Sequence, residues 1–406
     1  MSLTEVTMKS ITKLYRIGTG PSSSHTMGPQ RAAEIFKGRF PGAERYQVVL
    51  FGSLAATGKG HLTDVAIKAV FQENIEIIWK PEETLIEHPN AMTFTALDHS
   101  GKSMGSSVFF STGGGAIREQ GEDPNHPDIY PIRSLYEIIT YCHSNHIRFF
   151  DYVYSLEDES FSFYLEQVWT AMKEAIDRGI RRDDILPGEL KLKRKAWTMY
   201  RHAGRAGYHF SKTGQLAAYA LAVSEENAGG GIIVTAPTCG SCGVLPAVLN
   251  YMQEVTGCSD SVIYDALATA GLIGNLIKHN ASISGAEAGC QAEIGAACAM
   301  AAAAATQISG GSLEQIEYAA EMGMEHHLGL TCDPVCGLVQ IPCIERNAFA
   351  ATRSITCSDF ALATDGTHHI SFDDVVKVMM ETGTNMPVLY KETSTGGLAA
   401  TYKKKQ

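Results

Sequence analysis

The pattern of apolar and polar residues changes once along the chain, near residue 120. Before that point, short runs rich in β-branched and aromatic residues alternate with helical stretches. Strands are predicted over Tyr46–Phe51, Ile75–Lys80, Met92–Leu97 and Ser106–Ser111, with a helix over Leu62–Phe71. The pattern therefore predicts an α/β domain over residues 1–118.

Glycine and proline mark the end of this first region. Gly113–Gly115 is predicted to end the last strand, and the polar, proline-containing stretch Gln120–Asp128 indicates a linker. We place that linker over residues 119–150. A later charged stretch, Arg178–Lys195, is interpreted as a solvated connection.

The second region has a helical period. Within Phe161–Ile180, apolar residues recur every fourth position at Tyr164, Val168, Met172 and Ile176. The same period predicts further helices over Ser211–Val223, Val244–Val255, Val262–Lys278 and Leu313–Met324. A larger, mostly α-helical domain is predicted over residues 151–406, and its chemistry is expected in the breaks between helices.

Charge and hydropathy exclude several classes of protein. The chain has 406 residues, 33 of them Lys or Arg and 44 Asp or Glu, a net charge of −11 that argues against nucleic-acid binding. No apolar run reaches the roughly 20 residues of a membrane span, and the N-terminus lacks the apolar core of a secretory signal. We expect a cytoplasmic protein that acts on a small molecule, without a nucleic-acid or membrane partner.

The cysteines are unevenly distributed, since nine of the ten lie between Cys239 and Cys357. Reduced thiols in the cytoplasm act as core residues, metal ligands or nucleophiles. Cys290, Cys332 and Cys343 stand in breaks rich in Gly or Pro, where a loop can direct the side chain. Three thiolates on a 4Fe–4S cluster leave one iron open as a Lewis acid. Ordinary packing is the alternative for each cysteine taken alone.

The remaining cysteines are less informative. Cys239-Gly-Ser-Cys242 is a CxxC pair, which suits a redox site or zinc, but no second pair completes a four-cysteine site. Both interpretations stay open at this point. Packing is the interpretation of the isolated cysteines, which are Cys142, Cys258, Cys298 and Cys357.

Two loops of the first region carry candidate chemistry. The stretch from Gly18 to Pro29 opens onto a helix and offers hydroxyls and backbone N–H groups to a carboxylate, although an ordinary helix cap is the alternative. Its polar residues are Ser22, Ser23, Ser24, His25 and Thr26. The loop Gly58–Asp64 contains His61, a candidate general base, but a lone loop histidine is more often structural.

Seven segments taken together resemble the bacterial iron–sulfur L-serine dehydratases over nearly the whole chain. They are GPSSSHTMGP at 20–29, GSLAATGKGH at 52–61, TAPT at 235–238, NASISGAE with GCQ at 280–291, MEH with LGLTCDPV at 324–335, PCIERN at 342–347, and YKET with GGLA at 390–399.

The resemblance implies a fold of fused beta-type and alpha-type domains and a 4Fe–4S cluster held by Cys290, Cys332 and Cys343. The substrate hydroxyl would bind the fourth iron while His61, from the first domain, removes the Cα proton. Loss of hydroxide would give aminoacrylate, which becomes pyruvate and ammonia. A homo-oligomer, a dimer, is also implied. The residues implied to orient the amino and carboxylate groups are Ser22, Ser23, Ser24, His25, Thr26, Asn280, Ser282 and Ser284.

The chain also departs from the family pattern. Cys239 stands where the family commonly has Asn after Pro-Thr, and Cys242 and Cys336 replace small residues. These three remain conceivable substitute ligands. L-Threonine dehydration and L-cysteine desulfidation are the alternative reactions.

Two hypotheses from other classes are kept. A pyridoxal-phosphate lyase would use Lys59 or Lys278 as its Schiff base, but it leaves the three motif cysteines unexplained. A redox or metal-storage protein would use the CxxC pair, but it leaves the first domain unexplained.

Overall fold

The computed structural model describes residues 8–403, apart from residues 73, 89, 123–127, 206–207 and 393–395. A five-stranded sheet with helices forms the N-terminal part, and a larger helical assembly follows, which confirms the predicted fold class. The position of the boundary between the two domains stays a prediction. Part of the predicted linker, residues 123–127, lies outside the described residues.

The sheet has the strand order β3-β2-β4-β5-β6, and only the pair β2–β3 is parallel. Its strands are β2 (Arg45–Phe51), β3 (Ile75–Lys80), β4 (Ala91–Leu97), β5 (Ser103–Gly113) and β6 (Ala116–Glu119). A strand does end at Gly113–Gly115, as predicted, but it is not the last strand of the sheet. All three glycines have positive φ, so the chain reverses there and continues as β6.

Three helices accompany this sheet: α1 (Gly28–Arg39), α2 (Gly52–Thr57) and α3 (Thr63–Phe71). Phe36 of α1 and Ile67 of α3 are buried in one core with Val48 and Phe94 of the strands. The alternation of buried and exposed positions along β2 follows from the two-residue period of a strand. The loops before α1 and α3 are thereby fixed at one edge of this layer.

The helical part consists of α4 (Leu135–Asn145), α5 (Phe149–Tyr154), α6 (Phe161–Ile180), α7 (Ala196–Ala203), α8 (Tyr208–Ala228), α9 (Val244–Thr256), α10 (Asp260–Asn280), α11 (Gly285–Ala288), α12 (Ala296–Ile308), α13 (Leu313–Glu325), α14 (Cys343–Leu362), α15 (Phe372–Asn385) and α16 (Gly397–Lys403). Helix α12 lies at the centre, against α9, α10, α13 and α14. Its alanines are buried on all sides, and such small side chains allow close approach of the neighbouring helices. None of the described helices is both long enough and apolar enough to cross a membrane.

The first described residues belong to the helical core. Met8, Ile11, Leu14 and Tyr15 are buried there, and the Tyr15 hydroxyl donates to Leu267 O at 2.9 Å. Strand β1 (Ile17–Thr19) then pairs antiparallel with β7 (Ile232–Val234). The chain therefore crosses the helical part before it enters the sheet, which brings segments from both parts to one junction.

The stretch Arg178–Lys195 is only partly solvated, so its interpretation as a solvated connection is wrong for Arg194. The Arg194 side chain is buried and pairs with Glu226 at 3.1 Å and Asp184 at 2.9 Å. A buried charge needs such partners to offset the loss of hydration.

Candidate active site at the junction of the two parts

The serine-rich loop forms one turn of π-helix over Ser23–Met27, directly before α1. Ser22 caps it, since its Oγ accepts from His25 N at 3.1 Å. Gly20 lies against Asn227 of α8, and a Cβ at this glycine would come within 2.1 Å of Asn227 Oδ1. The close approach fixes the loop on the helical part. π-Helical turns occur frequently at functional sites.

Two histidines lie side by side in this region. The rings of His25 and His61 are 4.8 Å apart between centroids, and both side chains are buried. His25 contacts Ser24 Oγ at 3.1 Å through Nδ1 and Ser53 Oγ at 3.0 Å through Nε2. Nδ1 of His61 is buried and has no hydrogen-bond partner in the described part of the chain. A buried ring nitrogen without a partner is free to receive a proton from a ligand.

The backbone of the two histidines is tied together by two threonines. Thr26 Oγ1 donates to His61 O at 2.6 Å, and Thr63 Oγ1 donates to His25 O at 2.5 Å. Thr26 is fully buried, and its hydroxyl positions the backbone of His61.

Burial keeps both imidazoles neutral. It lowers the pKa of His61 to about 4, which the hydrogen bond to Thr57 partly opposes. Burial and then the neighbouring His61 lower the pKa of His25 to about 3. A neutral imidazole has a free lone pair at neutral pH, which is the form a general base requires.

The three motif cysteines come from three separate breaks. Cys290 follows α11 and precedes a π-helical turn, Cys332 pairs with Lys391 in an isolated bridge, and Cys343 is the first residue of α14. Cys290 and Cys332 are buried and Cys343 is half-buried. Burial raises the pKa of Cys290 to about 12. The three thiols lie within electrostatic range of one another, since Cys290 and Cys343 both contribute to raising the pKa of Cys332 after burial, Glu293 and Glu392.

Three ionisable side chains, Glu293, Glu392 and Arg346, lie near these thiols. Glu293 Oε2 lies 3.9 Å from Cys332 Sγ, and Glu293 Oε1 accepts from Thr238 Oγ1 at 2.7 Å. Glu392 follows the bridge to Cys332, and its N donates to Cys332 O at 2.7 Å. Arg346 lies near Cys290 and donates to Thr331 O at 2.6 Å. The sequence pattern alone assigned no role to these residues, although each lies within or next to one of the seven family segments.

The three motif cysteines are of the donor type that holds an iron–sulfur cluster. Within the described residues, no three His, Cys, Asp or Glu side chains converge closely enough to hold one metal ion. A four-iron cluster is larger than an ion, so its ligand sulfurs stand further apart while sharing one pocket. Cys290, Cys332 and Cys343 come from three turns and lie within electrostatic range of one another, which is compatible with that size.

Contacts join the histidine loops to the cysteine loops. Cys239 Sγ lies 4.0 Å from Sδ of Met27, the last residue of the π-helical turn. A Cβ on Gly60, beside His61, would lie 3.8 Å from Gly337 O. Gly337 lies in the break between α13 and α14 that also contains Cys332, so the loop of His61 contacts the loop of Cys332.

Ser282, Ser284 and Asn280, which were predicted to orient the substrate, bond to groups outside the serine-rich loop. Ser282 is buried and its Oγ donates to Glu287 Oε2, while Ser284 N donates back to Ser282 Oγ at 3.0 Å. The Asn280 side chain is exposed and donates to Arg133 O at 2.7 Å.

An open cavity of about 530 Å³ lies on the Cys332 side of the site. Thr331 and Tyr390 are among its lining residues, and Tyr390 O accepts from Cys332 N at 2.8 Å. Its lining includes neither His25 nor His61. The cysteine loops therefore approach solvent on the face formed by the end of α15.

The other cysteines lie in varied surroundings. Cys298 is buried in α12 and receives a hydrogen bond from Ser354 Oγ at 3.3 Å, while Cys142 and Cys357 are also buried. Cys239 and Cys242 are buried, and burial, followed by Cys242 and Glu293, raises the pKa of Cys239. Cys258 and Cys336 are half-buried.

The two lysines of the pyridoxal hypothesis lie in different places. Lys59 Nζ is 5.8 Å from the centroid of the Trp79 ring, and Lys278 Nζ donates to Lys13 O at 3.1 Å.

Two serine dehydratase family models match successive parts of the chain. The family model described as serine dehydratase beta chain matches residues 10–69, and the model described as serine dehydratase alpha chain matches residues 65–399. The chain is 40% identical to the L-serine dehydratase of Streptomyces coelicolor over 447 aligned positions, covering 96% of this chain and 98% of the relative.

Two further relatives agree. Identity is 38% with the L-serine dehydratase of Haemophilus influenzae and 37% with L-serine dehydratase 1 of Escherichia coli. In both cases 97% of this chain and 99% of the relative are covered.

Proposed function

The chain belongs to the serine dehydratase family and catalyses the elimination of water from L-serine to give pyruvate and ammonia, and we propose that His61 and an iron–sulfur cluster carry the reaction. The environment of His61 is the observation that most directly supports its role as the base. Its imidazole is buried and neutral, with Nδ1 unpartnered among the described residues, and its loop contacts the loop that follows Cys332.

Cys290, Cys332 and Cys343 would hold the cluster. When bound, a 4Fe–4S cluster with one open iron supplies a Lewis acid that helps the substrate hydroxyl to leave. Arg346 lies close enough to Cys290 to offset part of the negative charge of the ligand thiolates. Cys239, Cys242 and Cys336 rank below these three because the family motifs do not place ligands there.

His61 would accept the Cα proton of L-serine at Nδ1. The Cα–H bond is only weakly acidic, so a base must be held at a fixed distance and kept free of water. Thr26 fixes His61 through its carbonyl, and His25 covers one side of the ring. The proton then resides on the imidazole until product leaves.

The serine-rich loop would orient the substrate. Ser22 and Ser24 bond His25 N and Nδ1 respectively, so they hold the turn in shape, while Ser23 is buried beside them. Backbone N–H groups at such a helix entry suit the substrate carboxylate. Ser282 and Ser284, with Asn280 at the end of α10, would contribute to the amino-group side.

The decisive experiment starts from protein purified and reconstituted without oxygen. We expect iron and sulfide near four per chain, a broad iron–sulfur absorption band that bleaches in air, and pyruvate from L-serine. A pyridoxal band in its place would contradict the cluster. L-Threonine and L-cysteine, assayed alongside for 2-oxobutyrate and sulfide, decide between the related eliminations.

Cysteine variants test the ligand assignment. Cys290→Ala, Cys332→Ala and Cys343→Ala are each expected to lose the cluster and the activity, whereas the control Cys258→Ala keeps both. A full iron and sulfide content in any of the first three would remove that residue from the ligand set.

The homodimer and the cytoplasmic location stay predictions. Light scattering on the purified protein measures the oligomeric state, and cell fractionation measures the location.

A further inference from the structure

A group of four cations lies where the N-terminal segment meets both parts of the molecule. Lys13 and Arg16 precede β1, Arg31 lies on α1, and Lys278 is in the last turn of α10. Lys278 Nζ donates to Lys13 O at 3.1 Å. Arg16 Nη1 donates to Gly114 O at 2.5 Å, which fixes that guanidinium against the β5–β6 turn.

Acidic groups offset these positive charges only in small part. In the described structure none of the four side chains makes an ion pair. Glu157 lies close enough to influence Lys13, but its carboxylate already accepts from Ser10 Oγ, Ile11 N and Tyr130 Oη.

Arg16 and Arg31 lower the pKa values of neighbouring cationic groups. Burial and then Arg16 lower the pKa of Lys278 to about 8, and burial followed by Arg31 lowers the pKa of Arg16 to about 10. Burial also lowers the pKa of Lys13, with Arg31 and Arg16 adding to the effect. Such a concentration of positive charge is notable in a chain whose net charge is −11.

We propose that Lys13, Arg16, Arg31 and Lys278 form a binding site for a tetrahedral phosphate dianion, free or carried by a small metabolite. An arginine guanidinium offers paired N–H donors that match phosphate oxygens, and lysine ammonium groups add point charges. A divalent anion would relieve the mutual repulsion of four cations, which a monovalent ion does less well.

The position of this site connects it to the active site. Gly114, which Arg16 holds, lies against Ile283, since a Cβ on Gly114 would be 3.6 Å from Ile283 Cδ1. Ile283 stands between Ser282 and Ser284. The backbone of Arg16 also pairs with Thr235, with Arg16 N donating to Thr235 Oγ1 at 2.9 Å. A bound phosphate would therefore steady two segments that border the active site. The site does not depend on the cluster.

Calorimetric titration of anaerobically purified protein tests the proposal. Inorganic phosphate should bind with heat and raise the melting temperature above that in sodium chloride of equal ionic strength. Glycerol 3-phosphate, run in parallel, distinguishes a free anion from a phosphomonoester. Binding of either supports the site.

Charge-removal variants locate the binding. The double variant Lys13→Gln/Lys278→Gln should weaken phosphate binding at least tenfold. The control Lys68→Gln/Lys377→Gln removes two exposed lysines elsewhere and should change it less than twofold. If the first double variant does not fold, the exposed Arg31→Gln alone should weaken binding severalfold.

Three results would overturn the proposal. The first is that chloride stabilises the protein as much as phosphate does. The second is that Lys13→Gln/Lys278→Gln and Arg31→Gln both bind phosphate with unchanged affinity, and the third is that phosphate competes with L-serine for the active site. Because binding is measured without turnover, failure here is separate from failure of the proposed reaction.

Discussion

At the scale of single residues, burial determines the chemistry of the two histidines. No carboxylate is among the groups that set their pKa values, so only one hydrogen bond at each ring opposes the cost of charging it in an apolar environment. His61 is therefore neutral at physiological pH, and its free Nδ1 distinguishes it from His25, whose two ring nitrogens are both bonded.

Replacement of His61 by asparagine is expected to separate chemistry from cofactor binding. Loss of a general base lowers kcat by about 10²–10⁴-fold, while iron and sulfide contents stay unchanged. The control is His99→Asn, at an exposed position in the β4–β5 turn. Wild-type turnover in His61→Asn would exclude His61 as the base.

Acid should destabilise the protein through the same two residues. Their folded pKa values, about 4 and about 3, lie below the ordinary value of 6.5. The unfolded chain then binds more protons, so the stability present above pH 6.5 is lost as the pH falls toward 4. Denaturant unfolding at several pH values should show a smaller loss for His25→Gln than for wild type. Equal losses would contradict the burial argument.

At the scale of elements, the π-helical turn depends on one hydroxyl. Thr26 Oγ1 donates to His61 O and accepts from Ser22 N at 3.1 Å. Thr26→Val keeps the shape but leaves two buried backbone groups without a partner, at a cost of about 1–3 kcal/mol in unfolding free energy. We expect kcat of Thr26→Val to fall with little change in KM. Thr26→Ser, which keeps the hydroxyl, should restore both kcat and the unfolding free energy. A full loss in the serine variant would indicate a role for the methyl group instead.

Two glycines in helices have opposite requirements. A Cβ at Gly179 of α6 would lie 2.2 Å from Ala222 O of α8, whereas nothing lies within 4 Å of a Cβ at Gly38 of α1. Gly179→Ala should therefore destabilise the protein by about 1–3 kcal/mol through overpacking. Gly38→Ala should stabilise it by about 0.5–1 kcal/mol, since alanine favours the helix. Thermal unfolding of the pair checks both signs.

At the scale of the whole molecule, the N-terminal segment is part of the helical core. Tyr15 is fully buried and bonded to Leu267 O, so Tyr15→Ala should cost about 3–5 kcal/mol. Tyr136→Ala, at a side chain that is 72% exposed, should change the unfolding free energy by less than about 0.5 kcal/mol. Similar effects of both substitutions would show that residues 8–19 do not stabilise the helical part.

Local periodicity predicted most elements well. The helix over Phe161–Ile180 has the predicted bounds, and strands β2, β3 and β4 differ from prediction by one residue at most. Larger errors occurred where long-range contacts decide. The glycines at 113–115 form a turn into another strand. Arg194 is buried because it forms ion pairs with Glu226 and Asp184.

By itself the sequence determined the fold class, the helical and strand stretches, and the chemically active residue types, because these follow from local periodicity and from motifs. Only the tertiary structure decided which of these residues meet. It placed His61 beside His25, grouped Cys290, Cys332 and Cys343 with Glu293, Glu392 and Arg346, and set Asn280 on the surface. The reason is physical: burial and proximity between residues far apart in the chain result from packing, and no local pattern records them.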